Sequence, residues 1–237
     1  MNTSIDTEFD HRTDAGGKDL DKYSARLKQH HQALWRKPLP SGEILDVKPM
    51  RNGYLGLGAE DRVFALSSDQ ISNSFRSTKR LQHITSQVSE AELDEFQFLG
   101  ATVGGTILFP GKQIDRKRTL NQARGMNSQI EDRFDLTLEC IRLQYEQSPN
   151  PLHSTLDRYW RFFELFETFE AYVAFFLLQD LVQDGAIRFF LPFDEFRRPA
   201  LPLDVDEYRM YMANGKAFVR ARSARMQEWA EDRDRLV

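Results

Sequence analysis

Seven residues between positions 116 and 139 carry the side chains best suited to chemistry. Arg116, Arg118 and Arg124 surround a turn that leads into a helix, and Asp132, Arg133, Asp135 and Glu139 follow. Guanidinium forks and the free N–H groups of a helix start both suit oxygen-rich ligands, phosphates above all. With a helix expected over residues 128–147, capped by Ser128 with Glu131 three residues on, Asp132, Asp135, Glu139 and Arg142 fall at offsets of zero, three, seven and ten. They would then share one helix face. Three carboxylates on a face can hold a divalent cation such as Mg or act as acid and base. Asp132, Asp135 and Glu139 are therefore the catalytic candidates, and Arg116, Arg118, Arg124 and Arg133 the candidates for a phosphate- or nucleotide-containing ligand, with hydrolysis or group transfer as the reaction class.

The same residues have plainer readings. Asp135, Glu139 and Arg142 can support one another at i,i+4 and i,i+3 on a solvated face. Arg124, beside Gly125 and after Asn121 and Gln122, is the first choice for a ligand arginine, but it can equally tie its loop to Asp132 or Asp135. A noncatalytic protein-interaction module, meeting a partner or a second copy through the charged stripe and the terminal helix, is the rival function. A concave site collecting Arg124, Arg133 and two carboxylates would favour an enzyme; exposed, separated charges would favour the interaction module. Nucleic acid binding is the third reading. It rests on Lys216, Arg220, Arg222 and Arg225, and Glu228, Glu231, Asp232 and Asp234 follow them and oppose it.

Composition narrows the field. The 237 residues carry a net charge of -4, which gives no overall pull toward nucleic acid or acidic membranes. Cys140 is the only cysteine, so neither an intrachain disulfide nor a multi-cysteine zinc site can form, and a small buried hydrophobe is its expected role. His30 and His31 are adjacent and would point different ways on a helix, which argues against a zinc site. The longest apolar run, residues 171–178, is too short to cross a bilayer, and Asp6, Glu8 and Asp10 break any leader-like pattern. A cytoplasmic location without a membrane partner follows as the expectation.

The surrounding elements read as an α+β fold, predominantly helical, with a small antiparallel sheet. Residues 1–18 are expected to be a flexible lead. Residues 19–237 are expected to form a single globular domain that frays near 231–237. Leu20, Tyr23, Leu27 and Leu34 mark an amphipathic helix, and short strands are expected at residues 44–47, 54–58 and 62–66. Residues 67–71 suit a short helix, and Ser89 with Glu92 forms a capping-box signature. Residues 96–103 and 106–109, flanking Gly104 and Gly105, read as a hairpin. The 18 phenylalanines need a large buried volume, and the densest supply lies in a central aromatic-rich helix expected over residues 156–183. Its first half should keep a polar side; its second half should be covered all round. A strand at residues 187–191 and a terminal helix capped by Asp204, kinked or ended at Asn214 and Gly215, complete the reading.

TLNQARG at 119–125, DRFDLTLECIR at 132–142 and RFFLPFDEF at 188–196 resemble segments of a family of uncharacterised prokaryotic intracellular domains. The resemblance covers roughly residues 40–226. It implies a recurrent single domain and carries no activity onto these residues.

Overall fold

The computed structural model describes residues 5–57 and 64–235. Its fold is α+β and mostly helical, with a four-stranded antiparallel sheet and a separate two-stranded hairpin.

The chain opens with α1 (His11–Asp14), α2 (Leu20–Tyr23) and α3 (Ala25–Trp35). The segment expected to be a flexible lead is docked instead from residue 5 onward. Ile5, Phe9, His11 and Ala15 are buried, and the His11 N–H donates to the Ala101 carbonyl at 3.0 Å. The next elements are strands β1 (Val47–Pro49), β2 (Leu55–Leu57) and β3 (Phe64–Gln70). Gly58, Arg62 and Val63, parts of two expected strands, lie outside the described residues. The serines and Asp69 expected in a short helix belong to β3. Register decides it: Ser67, Ser68 and Asp69 pair with Phe109, Leu108 and Ile107 of β4 (Thr106–Pro110), completing the order β1-β2-β3-β4.

Between β3 and β4 lie α4 (Gln82–Thr85) and α5 (Glu90–Gly100). The Ser89–Glu92 capping box forms as expected and starts α5. Residues 96–103 are accordingly not a hairpin strand. Phe96 is buried on the helix, and the two glycines lie in turns that join α5 to β4, closed by the Gly105 N–H on the Thr102 carbonyl at 3.0 Å and the Thr106 N–H on the Val103 carbonyl at 3.2 Å, without the positive φ of a primed hairpin; both also allow close packing. A Cβ on Gly105 would lie 2.3 Å from the Leu99 carbonyl oxygen, and one on Gly104 would lie 2.0 Å from Ser223 Oγ.

Downstream come α6 (Leu120–Met126), capped by a Thr119–Gln122 box, and α7 (Phe134–Tyr145). The Ser128 start is replaced by turns in which Glu131 and Asp132 adopt φ of 48° and 62°. Asp132 therefore precedes the helix instead of sharing a face with Asp135 and Glu139.

The aromatic region is helical but is not one helix. It consists of α8 (His153–Arg158), α9 (Trp160–Phe163), a 3-10 turn at Glu164–Phe166 and α10 (Phe169–Phe175). Glu167 at φ 62° and Leu177 at φ 56° interrupt it, and Thr168 caps α10 through the Ala171 N–H at 3.1 Å. The bends bring ring to ring in a way one straight rod could not: Phe166 lies 5.0 Å from Phe175 and 5.3 Å from both Tyr172 and Phe176. Asp157, Arg161, Glu164 and Thr168 are exposed, as expected of the first half, and residues 175–178 are buried; the second half is nevertheless not covered all round, because Ala174 and Gln183 are exposed and Ala171, Gln179, Asp180 and Val182 are half-buried.

A hairpin of β5 (Val182–Gln183) and β6 (Ala186–Ile187) replaces the expected strand at 187–191. The last element, α11 (Val205–Arg235), runs unbroken through Asn214 and Gly215 and past Glu231. Asp204 caps it by accepting from the Glu207 N–H at 2.8 Å, and Gly215 leaves room for the Phe96 ring, which a Cβ would meet at 3.0 Å. α11 carries buried Tyr208, Tyr211, Phe218, Val219, Arg222 and Met226, and α4, α5 and the turn at Gln179–Leu181 pack against it.

Candidate functional site

α6 separates two polar regions. On one flank lies the network around Asp69. Its carboxylate is an ion-pair partner of Arg124, which also donates to Thr137 Oγ1 at 2.8 Å and to the Asp132 carbonyl at 3.1 Å. Arg124 itself is fully buried, packed near the rings of Phe109 and Phe134. Asp69 keeps 21% of its side chain accessible, yet burial raises its pKa against the pull of Arg124. Its backbone pairs within the sheet while its side chain reaches Arg124, and part of the carboxylate stays open to solvent. Gly125 lets α6 approach Asp132, since a Cβ there would meet both carboxylate oxygens at 3.1 Å, and Asn73 Nδ2 stands 3.5 Å from the same carboxylate.

The network continues along β3. Asp21 accepts from the Ser68 N–H at 2.9 Å and the Ser67 hydroxyl at 3.1 Å, and burial pushes its pKa up to about 6. Asn121 donates to Ser67 Oγ at 3.1 Å. His31 Nε2 lies 3.1 Å from Ser68 Oγ, a pairing that suggests an activated nucleophile. The tautomer forbids it. Trp35 Nε1, a donor only, donates to His31 Nδ1 at 3.0 Å, so the neutral ring carries its proton on Nε2 and cannot take one from Ser68.

On the other flank of α6 lies an open groove of about 520 Å³ lined by Arg116, Lys117, Arg118 and Arg158, with Met126, Pro151, Leu152 and Ser154 among its other walls. No carboxylate lines it, and none of the four cations has an ion-pair partner among the described residues. The turn that presents them is bent by left-handed Asp115 and Arg116, at φ 54° and 57°. It is tied to α8 by Arg158, which donates to the Arg118 carbonyl at 2.9 Å and to the Ser154 carbonyl at 2.8 Å.

The seven candidate residues thus divide among different environments. Arg116 and Arg118 line the groove, and Arg124 and Asp132 meet at the Asp69 network. Arg133 and Asp135 do not face a ligand. They are 1% and 0% exposed and form a buried fork, in which Arg133 Nε donates at 3.1 Å, Arg133 also donates to the Ala200 carbonyl at 2.8 Å, and Asp135 accepts from the Phe190 N–H at 2.8 Å. Glu139 is held by Arg142 at 2.7 and 2.8 Å. Asp132, Asp135 and Glu139 therefore do not converge, because Asp132 lies in the turn before α7 and the other two are each engaged by an arginine. No group of three or more His, Cys, Asp or Glu among the described residues could hold a metal ion. Cys140 is buried, and burial raises its thiol pKa.

The cationic middle of α11 is also committed internally. Lys216 and Arg220 pair with Glu95, Arg225 pairs with Asp180, and Arg222 is buried. Arg222 donates to the Phe176, Gly104 and Thr106 carbonyls, and Lys37 donates to the Phe175 carbonyl at 2.8 Å. These two cations answer unsatisfied carbonyls at the end of α10, where helix geometry leaves partial negative charge. Burial lowers the Lys37 pKa to about 7.

Sequence reasoning missed Asp69, Asp21 and Arg158. Asp69 and Asp21 carry no local signal, since their environment is built by strand pairing across the chain. Arg158 has one: Ser154, Thr155, Arg161 and Phe162 occupy its helical neighbour positions, leaving it without a local acid.

Among known proteins, one protein-family model, described as Family of unknown function (DUF6994), matches residues 5–226. Neither a curated protein nor a solved structure matches the chain.

Proposed function

We propose a binding function for this chain, which belongs to the DUF6994 family and inherits no activity from it: the groove beside α6 takes a phosphate-bearing small molecule. The supporting observation is Arg116, Lys117, Arg118 and Arg158 lining one concavity with no carboxylate among its lining residues. Arg142, Arg198 and Arg225, by contrast, each face an acid. Like charges gathered on a concave wall raise the local positive potential, and an entering anion relieves their repulsion. Arg158 is already held by two carbonyls, which reduces the ordering cost of binding.

Calorimetric titration with pyrophosphate at low salt tests the reading. Saturable binding is expected in the wild type, with a loss of about tenfold or more in Arg158→Gln and Arg118→Glu, as removal of one charge-assisted contact implies. No saturable heat, or full affinity in both variants, would overturn it.

One observation favours a second reading, hydrolysis or group transfer. Asp69 and Asp132 remain accessible in part on the opposite flank of α6, with Arg124 bridging them. Burial raises the Asp69 carboxyl above its ordinary range, the direction that suits a proton-transferring carboxylate. Phosphate release from pyrophosphate or a nucleotide by the wild type, abolished in Asp69→Asn, is the expected outcome; equal release from both proteins contradicts it.

A further inference from the structure

The groove is far larger than a phosphate group needs. Its volume of about 520 Å³ lies in the range of sites for whole small-molecule ligands, about 300–1,000 Å³, so an oxyanion on the arginines would leave most of it to the rest of the molecule. The walls are also divided in chemistry. Arg116, Lys117, Arg118 and Arg158 supply charge, whereas Met126, Pro151 and Leu152 supply apolar surface. Met126 is 64% exposed, the highest value among the five exposed large hydrophobic side chains of the described residues. An isolated surface methionine needs no explanation, but this one ends α6 and forms a wall of the cationic groove. The thioether is flexible and polarisable and packs well against flat rings.

We infer that the ligand joins a phosphate to a flat, largely apolar ring, as a nucleoside monophosphate does, with the phosphate on the arginines and the ring against Met126 and Pro151. This rests on the phosphate-binding reading above and adds the class of its second half. Asn127 holds this wall in place rather than reading the ring, because its Nδ2 donates to the Pro151 carbonyl at 3.0 Å and its Oδ1 accepts from the Gln129 N–H at 2.9 Å. Discrimination should therefore follow apolar area more than the identity of the base.

The test compares AMP with ribose 5-phosphate by calorimetry on the full chain, in wild type, Met126→Ser and Met210→Ser. Met210, an exposed methionine on α11, is the control. AMP should bind the wild type about tenfold more tightly, the change expected from removing about 60 Å² of apolar surface from water. Met126→Ser should erase most of that preference while leaving ribose 5-phosphate unchanged, and Met210→Ser should behave as wild type. Equal affinities in the wild type, or an AMP preference that survives Met126→Ser, overturns the inference while phosphate binding stands. Failure of both ligands to bind overturns both readings together.

Discussion

Replacing Asp135 by Asn separates a structural ion pair from a ligand site. Asp135 has no exposure and accepts from Arg133 through both carboxylate oxygens and from the Phe190 N–H. An amide keeps the shape but loses the charge and turns one acceptor into a donor facing the guanidinium. Arg133, itself 1% exposed, would keep only the Ala200 carbonyl as a strong acceptor. Breaking a buried pair from one side costs about 3–5 kcal/mol, because a charge is left without compensation. For a chain of this size that corresponds to a fall of roughly 6–20 °C in melting temperature. Urea denaturation at pH 7 followed by tryptophan fluorescence measures the loss. The double replacement Arg133→Met with Asp135→Leu should recover part of it, since it removes the uncompensated charge but leaves the Phe190 N–H and the Ala200 carbonyl without their partners. Pyrophosphate affinity of the folded D135N fraction should stay within about twofold of wild type, well under one tenfold step of binding energy. Unchanged stability together with lost binding would falsify the structural assignment and return Arg133 and Asp135 to the ligand site.

Acid should weaken the fold through two buried histidines. Burial holds His11 at about 4 and His31 at about 3, against 6.5 for an unperturbed ring, so the unfolded chain binds more protons between those values. Their contribution to stability is present above about 6.5 and is lost as pH falls toward 3 to 4. Asp21, raised to about 6 from 3.8, has the opposite sign over its own window and offsets only part of the loss. Urea midpoints should fall between pH 7 and 4.5, and a flat profile contradicts the argument. Gly105→Ala should also destabilise, by about 1–3 kcal/mol, because its Cβ meets backbone at Leu99 and Gly100 that cannot rotate away. A thermal melt identical to wild type would show that the contact yields.

The fold class was legible because it rests on signals that survive without tertiary context. The Ser89–Glu92 box and the wealth of apolar rings each point to a helical domain with a large core, and the Leu20 to Leu34 periodicity marks helix too, although extended Ser24 splits the expected single helix into α2 and α3 and Tyr23 is exposed. The breaks were not legible. Glu167 and Leu177 take left-handed conformations without being Gly or Asn, so no residue type marks the bends in the aromatic region. Ser128 and Glu131 satisfy a capping pattern and still form a turn, in which Asp132 is also left-handed and lies beside Gly125. That one misplaced helix start takes Asp132 out of the expected row, while Asp135 and Glu139 stay on α7 and are each engaged by an arginine. Arg116 and Arg118 stand out in the sequence by local charge density, and both line the groove. Arg124 stands out as well, and the structural role foreseen as its alternative is partly met, since it ties α6 to Asp132 through the backbone carbonyl while pairing with Asp69 from β3. Asp69 could not be paired with it from sequence, because the two lie 55 positions apart.

Hydrogen exchange with and without saturating pyrophosphate tests the location of the site most directly, because it reports position along the chain without altering any side chain. Slower exchange is predicted in the segments spanning residues 114–119 and 152–158, the turn and α8 that line the groove, with residues 133–142 of α7 unchanged. Protection confined to α7, or no protection at either wall of the groove, would contradict the account.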